Sequence, residues 1–151
     1  MSDGGAALTA TPEQLHAALT YCIDFSRTLL EAYGEFHPFG AMIDSAGQVV
    51  AASAWAGEEH PNPQDLYKLM VEALRKEIVE GRALAIAVAV NVDIPEQFSP
   101  SLKDGLRVTL ESRGYSRNVY VPYQMVSRGV LRRRKTAEFA EPFSVELKPA
   151  V

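Results

Sequence analysis

The run Leu84-Ala-Ile-Ala-Val-Ala-Val-Asn-Val92 constrains this chain more than any other segment. Strand side chains alternate, so Leu84, Ile86, Val88, Val90 and Val92 share one face and Ala85, Ala87 and Ala89 the other. Neither face carries a charge, so the strand is expected to be central and covered on both sides. The alanine face lets a helix or another layer come close, and the branched face fills the deeper core.

The flanking patterns supply the other elements. Thr11-Pro12-Glu13-Gln14 opens a helix, with Thr11 as N-cap, proline in the first turn and Gln14 completing a capping box. Leu15, Ala18, Leu19, Cys22, Phe25, Leu29 and Tyr33 give it an apolar face, and Gly34 ends it. A hairpin follows. Phe39 to Ile43 is its first strand, Asp44-Ser-Ala-Gly47 its turn and Gln48 to Trp55 its return.

After the loop 56–63, Asn62-Pro63 starts a second helix. Its buried stripe is Leu66, Leu69, Met70, Ala73, Leu74 and Ile78. Its wet side carries Glu72, Arg75, Lys76 and Glu80, and Gly81 closes it. Beyond 84–92, Leu106 to Glu111 alternates, with Leu106, Val108 and Leu110 inward and Arg107, Thr109 and Glu111 outward. Arg113-Gly114-Tyr115 is its turn. Asn118 to Tyr123 is a further strand in which Pro122 belongs near an end or on an unpaired side. Residues 127–135 are open between loop and helix, and Phe143, Val145 and Leu147 alternate in a possible last strand.

The expectation is therefore a loose N-terminus over 1–10 and one α+β domain over 11–151, with 125–151 as a tail. The order is α-β-β-α-β-β-β, and about five antiparallel strands carry two long helices. This order, over roughly residues 11–124, resembles the roadblock/longin/profilin-like architecture, a five-stranded antiparallel sheet with helices packed on it. The stretches FHPFGAMIDSAGQVV and DGLRVTLESRGYSRNVYVPY are also similar to small bacterial families with a helix, a PFG strand and a terminal VPY strand. The first resemblance implies a scaffold, dimerisation module or partner platform; the second implies no activity.

Composition narrows the chemistry. A chain of 151 residues with 47% hydrophobic and 23% charged residues can bury a core without disulfides or metal. Cys22 is the only cysteine, so neither a disulfide framework nor a thiolate metal cluster is expected. MSDGGAALTA lacks the basic and long apolar regions of a secretory signal. No run of about 18 apolar residues is present to span a membrane. A cytoplasmic protein is then the default expectation.

His16, His37 and His60 lack partners at metal-ligand spacing, so no metal is expected. No GxSxG, GxGxxG or GxxxxGK[ST] occurs, which removes the recognisable hydrolase and nucleotide-binding patterns. No cofactor is implied.

Charge is uneven along the chain. Residues 1–100 hold 5 Lys/Arg against 14 Asp/Glu, and residues 101–151 hold 10 against 5. Such polarity can orient a partner or a second copy. The simpler expectation is that the halves interleave in space and the polarity cancels. The densest basic run is Arg132, Arg133, Arg134 and Lys135, read as a solvated loop or a contact to an acidic protein surface rather than to nucleic acid. Trp55 is read as a core cap or an interface anchor.

The leading expectation is a non-catalytic interaction or adaptor module, self-associating or an immunity-type binder. Its candidate contacts are Trp55 and the 132–135 run, and its partner is a protein or another copy, not nucleic acid or membrane. The alternative is a small enzyme or ligand-binding protein built on His37, Glu111 and Arg113. A deep pocket lined by those three groups would separate the two.

Overall fold

The computed structural model describes residues 9–52, 62–130 and 134–151. Helix α1 (Pro12–Tyr33) is followed by β1 (Phe39–Asp44), β2 (Val49–Ala52), α2 (Pro63–Val79), β3 (Ala83–Asp93) and a 3₁₀ turn (Glu96–Phe98). Four strands complete the order, β4 (Asp104–Ser112), β5 (Tyr115–Arg128), β6 (Arg134–Phe139) and β7 (Phe143–Glu146).

The local signals form as read. Gln14 N–H donates to the Thr11 hydroxyl at 3.1 Å, and Gln14 Oε1 accepts from Thr11 N–H at 2.9 Å. Asn62 Oδ1 accepts from Asp65 N–H at 2.8 Å to start α2. Asp44 Oδ1 takes the N–H groups of Ala46 and Gln48, and Gly47 supplies the positive φ of 86° that the turn requires.

All strands join one antiparallel sheet in the order β2-β1-β3-β4-β5-β6, with β7 beside the first half of β5. The sheet has seven strands rather than five. Its extra length comes from β5, which runs to Arg128 and pairs Tyr123–Arg128 with β6. The basic run hides any alternation in the sequence there, and only Ala137 of β6 is buried. Pro122 sits where β7 has stopped and β6 has not begun. Its carbonyl accepts from Ala140 on that side, so its missing N–H faces the same gap.

Strand β3 lies between β1 and β4, as its uncharged faces require. Ala85, Ala87 and Ala89 pack under α1, whose buried stripe is Ala18, Cys22, Ser26 and Leu30. Small residues thus meet small residues, and the helix comes close. This stripe differs from the expected face: Phe25 is 38% and Tyr33 76% exposed, while Ser26 is buried. The serine is tolerated because its hydroxyl donates to Ile23 O at 2.8 Å.

Ile86 and Val88 pack under α2 with Leu66, Met70, Leu74 and Ile78. Leu69, expected inside, is 46% exposed, and Val71 takes its place. The larger core lies on the alanine face, because Leu106, Val108, Leu110, Val119 and Val121 of the neighbouring strands build it out there. At Gly40 a Cβ would lie 2.9 Å from Leu74 Cδ1 and 3.3 Å from Ala87 O, so glycine lets α2 settle on β1.

The two halves of the chain do not interleave in the sheet. Strands β1–β3 occupy one side and β4–β7 the other, and α1 crosses over both. The strands themselves carry few charges, and groups of the two halves meet across the fold: Arg75 of α2 pairs with Glu111 of β4, and Glu31 of α1 reaches the edge of β6.

Candidate functional site

The alternation of β4 divides it into two faces, but neither is wet. Thr109 is 2% and Glu111 1% exposed, where the alternation predicts an outward, solvent-facing row. The face carrying Arg107, Thr109 and Glu111 continues across β5 as Tyr120, Asn118 and Ser116, in register. Helix α2 leans over this row. Arg75 Nε and Nη2 donate to the two Glu111 carboxylate oxygens at 2.7 and 2.8 Å, and Ser116 Oγ donates to Glu111 Oε2 at 3.2 Å. The hydrogen bond to Glu111 raises the Arg75 pKa, against the desolvation that lowers it. Arg113 Nη2 donates to the carbonyls of Ile78 and Val79 at 3.0 and 3.3 Å, satisfying acceptors that the end of α2 leaves open.

Glu111 and Arg113 thus both grip the last turns of α2. They do not meet His37. Arg113 lies beyond the Ser112–Ala85 pair at one end of the sheet, and His37 precedes the Phe39–Ala89 pair near the other, exposed. The three groups of the ligand-site expectation therefore line no common pocket. Trp55, Arg132 and Arg133 lie outside the described residues. Arg134 and Lys135 are exposed at the start of β6, beside an ion pair of Arg128 with Glu138.

Among the described residues, two of the open cavities lie at opposite ends of the sheet. A groove of about 530 Å³ runs between the first turns of α1 and β4, β5 and β7, floored by Leu15, Leu19, Leu110 and Val119, with His16, Arg113, Ser144 and the Phe143 position also lining it. The second, of about 510 Å³, lies at the opposite end among Glu35, Asp93, Asp104 and Tyr123. There Tyr123 donates to Asn91 Oδ1 at 2.7 Å. Burial, with Asp104 and Asp93 nearby, pushes its phenol pKa up against the opposing effect of that bond.

The edges of the sheet are treated unequally. On β6, Glu31 Oε2 accepts from Ala137 N–H at 2.9 Å, so α1 occupies one of its donors. On β7, Phe143 and Val145 lie opposite Tyr120 and Asn118, and Leu147 N–H donates to Ser116 O. Antiparallel alternation then turns the N–H and C=O of Ser144 and Glu146 away from β5. Among the described residues no strand pairs with that outer edge.

Cys22 is buried against the alanine face, and desolvation pushes its thiol pKa up from 9.0 to about 12. A thiol reagent at pH 8 is expected to leave the native protein unlabelled and to label one site after denaturation. Rapid native labelling would show that α1 opens. The linkage has a definite sign: the folded state holds the proton more tightly. The associated stability is complete below pH 9 and is lost as pH rises toward 12.

Among the described residues, no three His, Cys, Asp and Glu side chains converge to hold a metal, and no helix is long and apolar enough to cross a membrane. No protein-family model, no curated protein and no solved structure matches the chain. The groove and the polar row on β4 and β5 were not legible in the sequence. Both depend on which strands become neighbours, and only the clean alternation of residues 106–111 hinted at the row.

Proposed function

We propose that this chain is a protein-binding module that takes an extended segment of a partner onto the outer edge of β7. The observation that carries the reading is a strand edge that no described strand pairs with, set beside an apolar groove. Main-chain groups of Ser144 and Glu146 would pair with the incoming strand, and alternate apolar side chains would enter the groove between Leu15, Leu19 and Val119.

The state of the reactive groups supports the same reading. The cysteine is buried and protonated, and Glu111 is engaged by Arg75 and Ser116. The likeness to roadblock/longin/profilin-like scaffolds adds weight from element order alone, and an immunity-type binder falls within the same class.

Proline at Ser144 is the direct test. It removes an outward N–H while leaving the β5–β7 ladder its donors, and edge positions accept proline. Peptides selected from a displayed random library on the wild type are expected to bind S144P and Leu15→Lys about tenfold or more weakly, one to two lost contacts' worth. The melting midpoint of S144P should stay within a few degrees. Peptides indifferent to both changes would remove the reading.

The uneven charge along the sequence is the reason to test a second copy as another partner. Sedimentation of the wild type and of a variant with Arg132, Arg133 and Arg134 replaced by Ser, at low and high salt, measures this. Association weakened by both the salt and the substitutions is expected, because exposed charges are screened over about 10 Å at 0.1 M.

A further inference from the structure

We propose that Arg107 and Asn118 form a binding site for a small oxyanion, a carboxylate or phosphate group, on the α2 side of β4 and β5. The inference goes beyond the protein-binding reading and uses the opposite face of the sheet from the groove.

It starts from an unmatched cation. Arg27, Arg75, Arg113 and Arg117 are half-buried arginines, and each has an oxygen partner: Asp24, Glu111, the carbonyls of Ile78 and Val79, and Glu146 with Ser116 O. Arg107 is buried to a similar degree and has none among the described residues. Its Nε is shielded from solvent and makes no hydrogen bond. The guanidinium carbon instead lies 4.8 Å from the centre of the Tyr67 ring. That ring attracts a cation but accepts no fork of N–H bonds, and a buried donor without an acceptor is costly. The Nε–Nη edge of a guanidinium matches two oxygens of a carboxylate or phosphate.

A second donor follows from counting protons. Thr109 Oγ1 donates its single proton to Asn118 Oδ1 at 2.7 Å. The 2.5 Å contact between the Tyr67 and Thr109 hydroxyls must then run from the tyrosine to the threonine. The chain Tyr67–Thr109–Asn118 consumes the amide oxygen and leaves the Asn118 amide N–H groups to donate.

Arg107 and Asn118 are diagonal neighbours on one face, since Arg107 opposes Tyr120 and Thr109 opposes Asn118. Such positions are about 7–8 Å apart, a span that an arginine and one small anion bridge. The surroundings are apolar: Val90 opposes Arg107 on β3, and Tyr120 packs with Phe98 at 5.3 Å and Phe143 at 5.2 Å. Low polarity strengthens an ion–guanidinium contact.

Nitrogen-15-labelled protein titrated with sodium benzoate and, separately, sodium phosphate at constant ionic strength tests the site. Saturable shifts of the Arg107 Nε–H and Asn118 side-chain amide signals are expected with at least one anion. Benzoate alone identifies an organic carboxylate, phosphate alone a phosphate group, and both a general oxyanion site. Arg107→Lys keeps the charge but loses the fork, and is expected to weaken binding tenfold or more; Asn118→Leu weakens it less.

Without anion, Arg107→Leu is expected to melt at or above the wild-type midpoint, because the unmatched cation has gone. Absence of saturable shifts with either anion would overturn the proposal. So would equal affinity in Arg107→Lys, or a clear drop in the midpoint of Arg107→Leu, which would make the arginine a structural residue.

Discussion

Replacing Ile86 by aspartate abolishes the folded state. Ile86 has no solvent exposure, and its strand neighbours on the same face are Met42 of β1 and Glu111 of β4. Helix α2 covers it. The substitution removes an apolar side chain whose loss alone costs about 2–5 kcal/mol. It also places a carboxylate in that site beside the buried Glu111, whose donors are already engaged. Desolvation and like-charge repulsion add several kcal/mol against a total stability of about 5–15 kcal/mol. Far-UV circular dichroism and urea titration are expected to show no cooperative transition. Ile86→Val, which keeps the apolar character, should lose about 0.5–1.5 kcal/mol and melt cooperatively. A cooperative melt of the aspartate variant near the wild-type midpoint would mean that β3 is not between two covered faces.

Arg75→Ala is expected to be the next most damaging change, although Arg75 stands on what reads as the wet side of α2. It deprives Glu111 of a two-pronged partner at 2.7 and 2.8 Å, and Glu111 is almost wholly buried. Removing one member of a buried pair costs about 3–5 kcal/mol. The Arg75 side chain keeps 37% of its surface in water, so solvent screening places the loss toward the lower end. Replacing both partners together, Arg75→Met with Glu111→Leu, should recover most of the loss, because an apolar pair of similar volume needs no counter-charge. Chemical denaturation of the two single variants and the double variant reads out the coupling. Additive losses would show that the pair is not a unit.

These two residues also mark the boundary between local and non-local information. Helix starts and turns were readable because each rests on groups a few residues apart: Thr11 with Gln14, Asn62 with Asp65, Asp44 with Gln48. The central place of residues 84–92 was readable because an uncharged strand has no face to give to water. The wet side of 106–111 was misread because alternation separates two faces without saying what covers either. Arg75 lies 36 residues before Glu111, and nothing local ties them. The exposure of Phe25 and the burial of Ser26 were misread for a related reason. The alanine face of β3 selects small residues on α1, and periodicity of apolar character does not register size.

The strands beyond 124 show the same division. Their backbone pairing with β5 holds them, while their side chains leave little inside, so the composition of SRGVLRRRK carried no strand pattern. The sequence alone determined the two helices and the strands up to Tyr123, the central strand and the absence of the common catalytic and nucleotide-binding motifs; it did not show the 3₁₀ turn Glu96–Phe98. Tertiary structure alone decided the strand order. It also decided which carboxylate met which arginine, and it left Arg107 without an oxygen partner among the described residues. The physical reason is range: capping and turn bonds are satisfied within one turn of chain, whereas burial and charge pairing depend on neighbours that only the sheet brings together.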